Sequence, residues 1–202
     1  MTIRSRTKPI AVAGAGFSGA VIARQLAEAG HSVDVFESRD HVAGNCHTER
    51  DDESGVLVHK YGAHIFHTGS ERVWEYVNRF GTFKPYIHRV KAIVGDSVYG
   101  LPVNLHTINQ FFGRVFSPAE AEAFIRKQAE AAGIGDEPAN MEEQAIKLIG
   151  VDLYNTFIEG YTAKQWGIHP TELPAAIIRR LPVRFNYDDN YFFHPFQGIV
   201  LL

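Results

Sequence analysis

The chain has 202 residues, enough for one or two domains with a proper core, and 45% of them are hydrophobic against 21% charged. A formal charge of −3 leaves no basic footprint for general nucleic-acid binding, and the single cysteine, Cys46, excludes an internal disulfide and suits a reducing compartment. No apolar run approaches transmembrane length, and there is no repeat or low-complexity tract. The opening MTIRSRTKPIAVAGAGFSGAVIA places basic residues before an apolar stretch, as a secretory leader does, but glycines at fixed positions interrupt it. A cytoplasmic protein without membrane insertion is the expectation.

PIAVAGAG reads as a short buried strand entering a tight turn, and Gly14, Gly16 and Gly19 spell G-x-G-x-x-G at the start of a helix. Val21, Ile22, Gln25, Leu26 and Ala29 carry the helical spacing, and Gly30 is placed to end it. HSVDVFES follows as a second strand ending in Glu37. In such a βαβ unit Gly14 permits the sharp turn, Gly16 lets a pyrophosphate approach the backbone, and Gly19 lets helix and strand pack closely. The helix N-terminus offers N–H groups to the phosphates, and Glu37 can accept from both ribose hydroxyls. The dinucleotide is NAD or FAD. Arg39 and the second small-residue turn Ala43-Gly44-Asn45 resemble flavoproteins of the glutathione-reductase and amine-oxidase type. An NADP enzyme, with Arg39 on a 2′-phosphate, is the weaker reading.

HKYGAHIFHT, residues 59–68, puts three histidines around a glycine and two aromatic residues. Without a helix or a nearby Cys or carboxylate it does not read as a zinc site. A packed turn, with His59 and His67 satisfying backbone groups, is expected, and no metal is assigned. SERVWEYVNRF then starts a helix with Ser70 as cap, and HRVKAIVGDSVYGLPV alternates around Gly95-Asp96-Ser97 as a β-hairpin. From Asn104 the period becomes helical. SPAE at Ser117–Glu120 is a capping box with Gly133 closing its helix, and Asn140 caps another that ends at Gly150. Phe111, Phe112, Phe116 and Phe124 are expected in the core.

YNTFIEGYTAKQWG gathers Tyr154, Phe157, Tyr161 and Trp166, which serve either a helix–helix core or the stacking of a base. In ELPAAIIRRLPVRF, Arg179, Arg180 and Arg184 lie near Pro174 and Pro182. Their rigid forks suit a diphosphate, and solvated surface is the plain alternative.

Taken together, GAGFSGA, GNCHTE, HKYGAHIFHT, EEQAI, GYTAKQWG, ELPAAIIRRLPVRF and DDNYF resemble the UDP-galactopyranose mutase family from Ile10 to about Ile199. Ala43 departs from a usual glycine. The resemblance implies a Rossmann-like α/β fold for FAD, an inserted helical domain and part of an antiparallel sheet, the C-terminal half of the family fold being absent. It divides the chain into an FAD segment at 1–82, a hairpin at 83–103, a helical substrate-binding insertion with an arginine lid at 104–184, and a return to the sheet at 185–202.

The implied reaction interconverts UDP-galactopyranose and UDP-galactofuranose through an adduct of the sugar with N5 of reduced FAD. The cofactor is then the nucleophile. FAD contacts are implied for Gly14, Gly16, Phe17, Ser18, Gly19, Glu37, Arg39, Gly44, Asn45, Tyr61, Gly62, His64 and Ile65, with His64 against the ring. Phe157, Tyr161, Thr162 and Trp166 are implied at the uridine end, and Arg180 and Tyr191 at the diphosphate, Arg180 stabilising the departing UDP. The resemblance allows a homodimer. Two alternatives stay open: an FAD oxidoreductase of amine-oxidase type, and a non-catalytic remnant exposing an apolar sheet edge at GIVLL.

Overall fold

The computed structural model describes residues 8–179 and 182–201, and two compact units divide the chain at Phe66. In the first, β1 (Ile10–Ala13) runs parallel to β2 (Val33–Phe36), with Ile10 opposite Val33 and Ala13 opposite Phe36; α1 (Phe17–Glu28) connects them. Gly14 takes φ +93°, and a Cβ on Gly19 would lie 1.8 Å from the Gly14 carbonyl oxygen. Only glycine at position 19 lets α1 settle onto the turn. β3 (Thr48–Arg50) and β4 (Leu57–His59) form an antiparallel pair.

The expected burial of β1 needs correction: Val12 alone of its four residues is buried, and Val21, Ile22, Val35 and Phe36 are exposed. The β1–β2 sheet has two strands, too narrow a platform to cover the apolar side of a helix.

The second unit opens with β5 (Phe66–Thr68) and α2 (Glu71–Asn78), whose cap Ser70 accepts the Val73 N–H. β6 (Thr82–Pro85) precedes a hairpin of β7 (Val90–Val94) and β8 (Ser97–Leu101) turning at Gly95-Asp96. Asn104 then caps α3 (Leu105–Phe112), accepting from the His106 and Thr107 N–H groups. In α4 (Pro118–Ala131), Ser117 and Glu120 make both bonds of the capping box, and Asn140 caps α5 (Met141–Ile149) by accepting from the Glu143 N–H. Each such cap contributes about 1 kcal/mol.

Beyond Gly150, α6 (Val151–Tyr154) widens into a π-helical turn at Asn155–Glu159 and resumes as α7 (Gly160–Trp166). Ile108, Ile149 and Leu153 are fully buried where these helices meet the hairpin. Each contributes about 1.5–3 kcal/mol by leaving water. Phe112, Phe116 and Phe124 flank that core, with Phe124 making ring contacts to both partners at 4.8 and 5.0 Å.

β9 (Phe196–Leu201) corrects another expectation. It occupies the centre of a three-stranded sheet ordered β5-β9-β6, antiparallel to β6, so its backbone is paired on both sides instead of forming an open edge. No helix among the described residues is long and apolar enough to cross a membrane.

Candidate functional site

In the first unit the glycine turn and the start of α1 present a polar cradle. Gly16 precedes α1 with no side-chain cap, so the N–H groups of Phe17 and Ser18 in the first turn have no helical acceptor. Those donors, with the positive end of the helix dipole, suit an anion. Gly44 packs against Gly16 so closely that a Cβ on Gly44 would lie 3.2 Å from the Gly16 Cα. Beside it the Ala43 N–H donates to the Ala15 carbonyl at 2.9 Å. Ala43 itself takes φ +73°, the one non-glycine residue in left-handed backbone among the described residues. Here a methyl group stands where the sequence resemblance expects glycine.

Glu37 ends β2 beside this turn. Its Oε2 accepts the Ala15 N–H at 2.6 Å, and Oε1 accepts the Ser38 and Arg39 N–H groups at 2.9 and 3.1 Å. These donors, Ala15 foremost and then Arg39, hold the carboxyl below its ordinary value. Glu37 is therefore an anionic acceptor fixed at the mouth of the turn, the chemistry that vicinal ribose hydroxyls require.

Arg39, Asn45 and Tyr61 come together as well. Arg39 Nη2 donates to Asn45 Oδ1 at 2.8 Å, and its guanidinium carbon lies 4.4 Å from the Tyr61 ring centre. Tyr61 Oη lies 2.7 Å from Nε2 of His41, whose ring stacks on His47 at 3.8 Å. Sequence reasoning missed His41 and His47; their symmetric placement around Val42–Cys46 was the available signal. After Gly62, at φ +103°, the His64 N–H donates to Nδ1 of His59 at 2.8 Å. His64 Nε2 is buried and has no protein partner, and Ile65 beside it is half-buried.

His59 thus meets a backbone group as expected, whereas His67 does not. Its Nδ1 lies 2.6 Å from Nδ1 of His194 and its ring stacks on Phe192 at 3.7 Å, so its partners are side chains brought from beyond residue 190.

In the second unit the π-helical turn and α7 carry the aromatic group. Phe157 is buried against Tyr99 and Phe111, and Thr162 is buried also. Tyr161 and Trp166 are instead 69% and 53% exposed, presenting open ring faces of the kind on which a base stacks. Tyr191 donates its N–H to the His88 carbonyl at 2.8 Å, with its ring 5.1 Å from Phe192. Arg180 lies outside the described residues, and Arg179 is exposed.

Arg184 is not solvated surface, the plain alternative in the sequence, and its Nε and Nη2 are buried without a protein partner. It is 4% exposed, its Nη1 donates to the carbonyls of Asp188 and Asn190, and its guanidinium lies 4.0 Å from the Phe193 ring centre. The arginine fastens the 185–190 segment from inside, because backbone carbonyls there need donors and water is excluded.

Residues 12–80 match the NAD(P)-binding Rossmann-like domain, and residues 156–201 match the UDP-galactopyranose mutase family. Among curated relatives, a probable UDP-galactopyranose mutase of Klebsiella pneumoniae is 56% identical over 95% of this chain and 50% of its own length. A dTDP-fucopyranose mutase of Escherichia coli is 54% identical over 94% of this chain and likewise 50% of its own. The chain spans about half the length of these curated relatives. A crystal structure of reduced UDP-galactopyranose mutase shares the fold, with a TM-score of 0.69 at 20% identity over 88% of this chain and 37% of that one. Residues 156–201, which carry the aromatic helix, thus match the UDP-galactopyranose mutase family, and the chain as a whole is similar to about half of each of these mutases.

Proposed function

We propose that the first unit binds FAD and that the second contributes nucleotide-sugar contacts to the interconversion of UDP-galactopyranose and UDP-galactofuranose. The observation that carries this reading is the uncapped start of α1 beside the Gly16–Gly44 approach, with anionic Glu37 at its mouth. The residues present fit the cofactor: donors for a pyrophosphate, an acceptor for a diol, and an unpartnered buried nitrogen at His64 Nε2. Reduced flavin, when bound, supplies the nucleophile that the side chains of this chain lack.

The chain's own residues would bind and orient. Phe17, Ser18 and the flanking glycines hold phosphate oxygens; Arg39, Asn45, Tyr61 and Gly62 shape the wall; His64 gives or takes a hydrogen bond at Nε2. Tyr161 and Trp166 offer stacking surfaces, a contribution of about 1–3 kcal/mol per base in nucleic-acid examples. Arg180 and Tyr191 are assigned to the diphosphate, where a guanidinium would stabilise the departing UDP.

The test is the visible spectrum of the purified chain, then turnover of UDP-galactose under dithionite. A stoichiometric flavin band with furanose product supports the full reading. A flavin band without turnover leaves binding and removes catalysis by this chain; no flavin band removes both. A dTDP-sugar is the second reading, favoured by the near-equal identity to the dTDP-fucopyranose mutase. Parallel assays with UDP-galactose and dTDP-fucose separate the two.

A further inference from the structure

Glu142, Glu159 and His169 come from three separate stretches of the second unit, yet each brings one ligand atom to a common point, all within 4.8 Å of one another. Glu142 sits in the first turn of α5, Glu159 closes the π-helical turn, and His169 begins the 3₁₀ turn at Pro170–Glu172. We propose that these three side chains form a binding site for one divalent transition-metal ion of the Zn²⁺ and Co²⁺ class. One imidazole and two carboxylates suit such ions, and three protein ligands leave a position for water.

The surroundings orient the ligands. Tyr154, buried between α5 and the π-helical turn, donates its hydroxyl to Glu142 Oε2 at 2.7 Å, which fixes the carboxylate. His169 Nδ1 lies 2.8 Å from the Thr171 hydroxyl, and its Nε2 lies 3.5 Å from Glu159 Oε1. In the ion-free structure Nδ1 accepts the Thr171 N–H at 3.3 Å; ligation through Nε2 would move the ring proton to Nδ1, where the Thr171 hydroxyl can accept it. Pro170 is fully buried next to His169 and anchors the backbone that carries the ring. Among the described residues neither glutamate has a lysine or arginine ion-pair partner, so two carboxylates share a site short of positive charge. A metal ion would supply that charge. It would also tie α5 and the His169 turn to the helical segment bearing Phe157, Tyr161 and Trp166.

The test titrates the complete 202-residue chain with Co²⁺, following its visible absorption, with Zn²⁺ as competitor and circular dichroism to confirm folding. His169→Asn keeps an acceptor for the Thr171 N–H while removing Nε2, and Glu159→Gln keeps size while removing charge. One equivalent of Co²⁺, displaced by Zn²⁺ and bound about 10- to 100-fold more weakly by each variant, is expected; even loss of groups that only orient a ligand has that effect. No Co²⁺ spectrum from the folded chain would overturn the proposal. So would equal affinity in both variants, which would place the ion on other histidines, such as His67 and His194. The readout needs neither flavin nor turnover, so it stands or falls apart from the enzymatic reading.

Discussion

The hydroxyl of Tyr154, a side chain only 1% exposed, donates to Glu142 across the contact between α6 and α5. Burial first, and then the bond to Glu142, raises the tyrosine above its ordinary value of 10.0. A group whose value is raised by folding stabilises fully below its unfolded value and loses that contribution as pH climbs above it. Unfolding by urea should therefore show stability falling from about pH 10 upward, a slope that Tyr154→Phe removes. At neutral pH the same substitution should cost about 1.5 kcal/mol, the worth of a hydrogen bond to a charged group.

Gly19→Ala should prevent α1 from seating on the glycine turn, since the new methyl carbon would meet the Gly14 carbonyl oxygen at 1.8 Å. The obstacle is backbone, which cannot swing away. A loss of about 1–3 kcal/mol in thermal unfolding is expected, with flavin uptake abolished. Flavin retention at the unsubstituted level would show that the turn adjusts.

Ala43→Gly should work in the opposite direction. A left-handed residue with a Cβ is less stable there than glycine by about 1–2 kcal/mol, partly offset by glycine's greater freedom when unfolded. The expected gain, about 1 kcal/mol, would appear as a rise in urea midpoint at unchanged slope.

These turns and caps were legible because their determinants are local. Ser70, Ser117 and Asn140 each close a bond within three residues, and Gly95-Asp96 reverses a hairpin of alternating residues. The features missed depend on distant partners. β9 pairs with β6, with Leu201 opposite Thr82, and no local pattern reports that. Arg184 is buried because carbonyls at 188 and 190 return to it, although arginine is ordinarily a surface residue. Within the candidate site, the glycines and Glu37 could be read from spacing, whereas the Arg39–Tyr61–His41 contacts required the turn at Gly44 to be folded.

His67 is held below its ordinary value of 6.5, by burial first and by neighbouring His194 second. Folding then disfavours the protonated ring, so the contribution is present above about pH 6.5 and is lost as pH falls. His67→Asn should flatten the decline in stability between about pH 7 and pH 5 measured by thermal unfolding. An unchanged decline would assign it to other groups.

Arg184→Met keeps the apolar length of the side chain but strips the donors from the Asp188 and Asn190 carbonyls. A loss of about 2–3 kcal/mol is expected by urea unfolding, with faster amide exchange across 185–190.

The π-helical turn at Asn155–Glu159 has a consequence for how this chain tolerates change in length. Each helical residue advances the chain by about 100° around its axis. The wide turn already holds one residue more than ordinary winding, so inserting a further residue would rotate everything beyond it. Thr162 would leave its buried position, and Tyr161 and Trp166 would point along new directions. Single substitutions on this stretch alter one side chain, whereas a one-codon insertion rewrites the whole aromatic face. The segment is a reading frame in space.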